Sequence, residues 1–227
     1  MQGKAILISG GFGVLGRAVA EAVVKAKAKP FLVDRAPMSD LPEGFPGLGD
    51  IDLTVPALAA RAAAAANEVL GGVDGLVNAA GGFVWKPVAE AGIDDWRRMF
   101  DINLATCVNL SQATIPYLMG SPRCPSIVNV AAKGALTAAA GMAPYAASKQ
   151  GVLKLTEALA EELKDAGVRV NAVLPTIIDT PQNREDMPKS DPTRWVAPAD
   201  LAAVIAFLLS DAAFAVTGAQ IVVAGRT

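Results

Sequence analysis

The sequence has no histidine, only two cysteines (Cys107 and Cys124) and only two tyrosines. Without imidazole there is no Ser-His-Asp or Cys-His nucleophile pair and no histidine-ligated metal, so no metal site is expected. Two cysteines make no disulfide framework and suit a reducing compartment. An excess of charge is missing as well: 20 Lys+Arg face 22 Asp+Glu in 227 residues. No basic surplus therefore points to nucleic acid or to an anionic membrane. Long hydrophobic runs are also absent, although 52% of the residues are hydrophobic. The longest uncharged stretch, residues 102–122, is interrupted by Asn103, Asn109, Ser111, Gln112 and Pro116. That is too polar for a bilayer core of about 20 residues. The opening residues carry no apolar stretch with a small-residue cleavage site. A soluble cytoplasmic protein is expected, with its acid–base chemistry drawn from Tyr, Lys, Asp, Glu or water.

What is present is alternation. Short apolar runs read as strands over residues 4–9, 30–34, 49–53, 73–78, 126–131, 168–174 and 219–224. Helical segments separate them over about 15–28, up to 70, 93–118 (in one or two pieces), 145–165 and 198–209. Apolar strands alternating with helices imply βαβ units and a parallel sheet buried on both faces. The fold expected is α/β, a single doubly wound parallel sheet of the Rossmann type with helices on both faces, forming one domain over 1–227. Residues 181–196 are polar and rich in proline, and read as a long loop over a substrate site.

A glycine cluster, Gly10-Gly11-Phe12-Gly13-Val14-Leu15-Gly16, joins the first strand to the first helix. Glycines there let the backbone turn tightly and approach a pyrophosphate at the helix start. A plain strand–helix turn is the simpler alternative. Asp34 closes the second strand, where a carboxylate accepts the ribose hydroxyls of adenosine and repels a 2′-phosphate. Arg35, beside it, argues the other way. NAD(H) is favoured and NADP(H) stays open.

The chain resembles the short-chain dehydrogenase/reductase family along nearly its whole length. The glycine turn is similar to the family's TGxxxGxG, with Ser9 in place of Thr. Asp52-Leu53 resembles its adenine-contacting pair, and Asn78-Ala79-Ala80-Gly81 its NNAG. Asn103 falls where the family has an Asn that holds a relay water. Tyr145 and Lys149 match YxxxK. Pro175, Ile178 and Thr180 fall in a stretch similar to the PGxxxT that holds the nicotinamide. The resemblance implies Tyr145 as proton donor, a small-molecule substrate and a homodimer or homotetramer. Tyr145 and Lys149 lie one helical turn apart, and an ammonium beside a phenol lowers its pKa.

One position departs from the family. Its serine stands thirteen residues before the tyrosine, and here that position is Ala132, preceded by Ala131. In this the chain resembles the dihydropteridine reductase branch. The stretch from Leu174-Pro175 through Asp179-Thr180-Pro181, Asn183-Arg184, Met187-Pro188 and Asp191 to Trp195 is similar to that branch's LPxxxDTPxNRxxMPxxDxxxW. The resemblance implies reduction of a quinonoid dihydropterin or a similar electron-poor ring. Phe83, Trp85, Ala132, Met142, Met187 and Trp195 are then candidate substrate walls. The alternatives are a general carbonyl or 3-oxoacyl reductase, and a non-catalytic NAD-binding regulatory protein.

Overall fold

The computed structural model describes residues 1–227. The strands are β1 (Ala5–Ser9), β2 (Lys29–Val33), β3 (Gly47–Leu48), β4 (Gly75–Asn78), β5 (Ser126–Val130), β6 (Arg169–Pro175) and β7 (Gln220–Val223). The helices are α1 (Val14–Lys25), α2 (Pro56–Leu70), α3 (Ile93–Phe100), α4 (Thr106–Met119), α5 (Ala143–Glu162), α6 (Pro181–Asp186) and α7 (Pro198–Leu209). All seven strands pair in parallel, in the order β3-β2-β1-β4-β5-β6-β7.

Successive strand side chains point to opposite faces of a sheet, and this splits the core in two. Ile6 and Ile8 join Val19 and Val23 of α1 and Leu201 and Ile205 of α7 on one face. Leu7 joins Phe31, Leu76 and Ile127 on the other, against α2 and α4. Ala59, Ala62, Ala63 and Ala66 form the fully buried stripe of α2. Their spacing is that of one helix face, and their small side chains let α2 lie close to the sheet. No helix is long and apolar enough to cross a membrane.

The chain leaves β1 toward β2 and β3, and later leaves β4 toward β5, β6 and β7. The order reverses between β1 and β4, and in such sheets a crevice opens outside the carboxyl ends of those strands. The glycine turn, Asp34 and the segment that begins at Ala79 all leave their strands at that end.

Four segments differ from the sequence reading. Helix α1 stops at Lys25 because Lys27 adopts a left-handed φ of 61°. The strand expected over 49–53 is instead the two-residue β3 at 47–48; Asp50, at φ 56°, turns the chain out of extended backbone. The helix expected over 93–118 is broken by a π turn at Asp101–Ala105. The loop expected over 181–196 holds α6 and a short 3-10 turn at Pro192–Arg194.

Candidate functional site

The crevice is a cleft of ≈ 580 Å³. Gly10, Gly13, Val14, Leu15, Asp34, Arg35, Asp52, Leu53, Ala79, Ala80, Gly81, Phe83 and Thr180 all line it. Gly10 must be glycine: its φ is +63°, and a Cβ would stand 2.9 Å from the Ala80 backbone nitrogen. At Gly16 a Cβ would stand 2.2 Å from the Gly10 carbonyl oxygen, so the start of α1 packs directly on the turn. No side chain caps α1 and no acid sits in its first turn. The helix therefore presents uncapped N–H groups and a positive dipole end to the cleft.

Asp34 ties this turn to β2. One carboxylate oxygen accepts from the Phe12 N–H at 3.0 Å and the other from the Ala36 N–H at 3.0 Å. Lone pairs remain for further donors. Asp52 accepts from the Thr54 hydroxyl at 2.7 Å and the Thr54 N–H at 2.9 Å. These bonds hold its carboxyl below the usual range. A helix start that favours an anion, with a carboxylate one strand away, fits a dinucleotide. The α1 start would hold its pyrophosphate and Asp34 its adenosine ribose.

Several expected cofactor residues also serve the scaffold. Gly11 packs on Leu32, and Phe12 is buried against the core. The Asn78 amide, buried, donates to Ser111 Oγ and to Asn129 Oδ1, both at 2.9 Å. It knits β4, β5 and α4 and does not face the cleft. Pro175 ends β6, and Ile178 forms a parallel bridge with Val196. The Thr180 hydroxyl caps α6 by accepting from the Asn183 N–H at 3.2 Å.

The π turn carries Asn103, which is 1% exposed. Its Oδ1 accepts from the Gly82 N–H at 3.0 Å, and its Nδ2 donates to the Gly82 carbonyl and to Ser148 Oγ, both at 3.1 Å. Ser148 Oγ in turn donates to the Tyr145 carbonyl at 2.7 Å. Ser148 and Gly82 were absent from the sequence expectation. Gly82 was legible in the run Gly81-Gly82-Phe83, whereas nothing in the sequence marked Ser148.

Lys149 is buried, and its Nζ donates to the Val130 carbonyl at 2.8 Å. A Cβ at position 81 would stand 2.6 Å from Asn103 Oδ1 and 3.2 Å from Lys149 Nζ, so Gly81 lets all three groups meet. Burial holds the ammonium down to about 8. Burial also pushes the Tyr145 phenol up to about 12. The expected lowering of the phenol by Lys149 is not seen: burial raises it, and the ammonium is turned to the Val130 carbonyl. Cys107, buried beneath Lys149's helix, has its thiol pushed up to about 12 by burial.

The Phe83 ring stands edge-on to Tyr145, with centroids 4.9 Å apart at 89°. Ala132, just past β5, is buried with no hydroxyl beside it from Ala131. Trp85 does not line the cleft; its indole N–H donates to the Ala140 carbonyl at 3.0 Å. Met142 caps the start of α5 and Met187 follows α6. Trp195 is 7% exposed and follows the short 3-10 turn at Pro192–Arg194.

The DTPxNR stretch proves to be local architecture. Arg184 donates to both oxygens of Asp179, at 2.6 and 2.8 Å. Thr180 caps α6, Pro181 takes its first position, and Asn183 Nδ2 donates to the Ile178 carbonyl at 2.7 Å. Asp191 caps the next short turn through Thr193.

The sequence model of the family described as "Enoyl-(Acyl carrier protein) reductase" matches residues 13–225. Meso-2,3-butanediol dehydrogenase of Serratia marcescens is 34% identical over 98% of this chain and 93% of its own. Among solved structures, a short-chain dehydrogenase/reductase of Brucella melitensis described as a glucose/ribitol dehydrogenase superposes with a TM-score of 0.90. It is 34% identical and covers 99% of this chain and 96% of that one. Carveol dehydrogenase of Mycobacterium avium, solved with NAD, gives a TM-score of 0.90 at 26% identity over 99% of this chain and 97% of that one. Likeness that spans both whole chains and the glycine turn alike has one meaning: the protein belongs to the short-chain dehydrogenase/reductase family of NAD(P)-dependent oxidoreductases.

Proposed function

We propose that the protein uses NADH to reduce a planar, electron-poor ring, a quinonoid dihydropterin or a similar compound, with Tyr145 delivering the proton. The observation that carries this reading is Ala132, where the family's serine hydroxyl is missing. A donor at that place stabilises charge growing on a carbonyl oxygen, and losing one such donor costs about 10²–10³ in rate. A quinonoid ring gains conjugation on reduction and needs a hydride and one proton, but little oxyanion support.

When bound, the nicotinamide would supply the hydride. The chain's own residues do the rest. Tyr145, its phenol pushed up to about 12 by burial, stays protonated near neutral pH and is available as an acid. Lys149, held at the Val130 carbonyl, would meet the ribose of the cofactor beside Gly81. Asn103 fixes Gly82, and through Ser148 the first turn of the Tyr145 helix. Its amide is engaged at both ends by Gly82 and Ser148. Asp34 supports NADH over NADPH, because a 2′-phosphate there would meet a carboxylate. The NAD complex of carveol dehydrogenase agrees with that preference.

A second reading is a secondary-alcohol dehydrogenase or carbonyl reductase. The names of the relatives favour it, the butanediol and carveol dehydrogenases among them. The residues that resemble the pterin branch at 179–195 do not weigh against it, because they build the loop itself.

Stopped-flow oxidation of NADH and NADPH decides between the two. Quinonoid dihydropterin is tested beside a panel of ketones and β-keto esters, each repeated with Tyr145→Phe. The first reading expects the pterin to outrun every ketone and Tyr145→Phe to lose most turnover. Faster ketone reduction supports the second reading. NADH binding without any turnover leaves the non-catalytic alternative.

A further inference from the structure

The segment that leaves β4 has no regular structure until α3, yet it carries Phe83 to the face of Tyr145. It is anchored at two places. The first is Asn103, which holds both backbone groups of Gly82. The second is a latch to the turn that precedes α5. The Lys86 N–H donates to the Gly141 carbonyl at 2.7 Å, and the Trp85 indole donates to the neighbouring Ala140 carbonyl at 3.0 Å. Gly141 makes the latch possible. Its φ is +76°, and a Cβ there would stand 2.3 Å from Trp85 Cε2 and Nε1. The ring lies directly over the glycine.

We propose that Trp85 is a positioning residue that, latched on Ala140 and Gly141, holds Phe83 edge-on to Tyr145 and thereby fixes the substrate-side wall beside the phenol. Phe83 is suspended between the two anchors, Gly82 on one side and Trp85–Lys86 on the other. It is 52% exposed although it packs on Tyr145, so an apolar ring surface is left next to the phenol. A planar substrate covers that surface by offset or edge contact; a small ketone covers little of it. Trp85 is 60% exposed, and its indole N–H is nonetheless committed to one carbonyl. Its contacts are those of the latch, the Ala140 carbonyl and Gly141. The inference rests on reading Tyr145 as the proton donor only where turnover is measured.

The test uses the full chain with Trp85→Phe, which keeps a ring on Gly141 and removes the N–H, and Gly141→Ala, which sets a methyl in the ring's place. Amide exchange at Lys86 is followed by NMR, with NADH affinity read by fluorescence. KM and kcat are measured for quinonoid dihydropterin and for a small ketone. The latch predicts at least about tenfold faster exchange at Lys86 in Gly141→Ala, the scale of one lost hydrogen bond. It also predicts KM for the planar substrate rising about tenfold, with kcat within about twofold and NADH affinity unchanged. Unchanged exchange at Lys86 overturns the latch, and so does a parallel loss of NADH affinity, which marks a general structural role. If wild-type turnover survives Tyr145→Phe, the reading of Tyr145 fails, and exchange at Lys86 still decides the latch.

Discussion

Replacing Asn103 by alanine removes three hydrogen bonds to oxygen or nitrogen partners at once, besides a long contact to the Met99 sulfur. Two hold the N–H and carbonyl of Gly82, at 3.0 and 3.1 Å, and the third joins Ser148 at 3.1 Å. Each is worth about 0.5–1.5 kcal/mol net. Gly82 is half-buried, so water recovers part of its loss, and Ser148 keeps its bond to the Tyr145 carbonyl. The expected destabilisation is about 2–3 kcal/mol. For a chain of this size that lowers Tm by about 5–10 °C. Calorimetry measures the shift, and amide exchange at Gly82 locates it. Asn103→Asp adds a sign. A carboxyl buried there has its folded-state pKa raised above its unfolded value, so the variant's stability is fully present below the unfolded pKa and falls as pH rises through the folded one. Asn103→Asp should therefore approach wild type at acidic pH and fall behind it near neutrality. A Tm shift of Asn103→Ala below about 1 °C, or unchanged exchange at Gly82, would refute the view that this side chain holds the β4 exit in place.

Two further outcomes follow from the same geometry. Lys149 is held down to about 8 from 10.5 by burial, so between those values the unfolded chain binds the extra proton and stability rises with pH. Relative to Lys149→Met, wild type should gain on the order of 3 kcal/mol as pH climbs from 8 to 10.5; urea titrations across that range check it, and a constant difference counts against a buried ammonium. Asp34→Ala removes the acceptor for the Phe12 and Ala36 N–H groups and the ribose-binding carboxylate. NADH affinity should fall about tenfold or more while NADPH affinity holds or improves; fluorescence titration with both cofactors reads it, and an equal loss for both contradicts the role given to Asp34.

Much of the sheet was legible because parallel strands buried on both faces are continuous apolar runs, as in Ile6-Leu7-Ile8 and Ile127-Val128. The last long helix, 198–209, matched to the residue because Pro198 starts it. Errors gathered where backbone geometry outranks side-chain pattern. Asp50 and Lys27 enter the left-handed region at positions that look ordinary in sequence. The π turn carries Asn103, whose amide grips Gly82, a contact between residues far apart in the chain. Helix α6 was signalled by Thr180-Pro181, a capping residue followed by a first-position proline, but its polar residues read as loop. At the site, the glycine turn and Asp34 stood where the spacing placed them. The direction of Lys149 did not follow from its spacing to Tyr145, because its ammonium found the Val130 carbonyl instead.

The substrate reading rests on the missing hydroxyl at position 132, and restoring it is the most direct test. Ala132→Ser restores the hydroxyl at the position where the family carries its serine, with the addition of one heavy atom. With kcat/KM measured for a ketone and for quinonoid dihydropterin, the ketone value should rise by up to about 10²-fold and the pterin value should stay within about twofold. A comparable rise for both substrates, or a pterin rate that depends on the added serine, would contradict it.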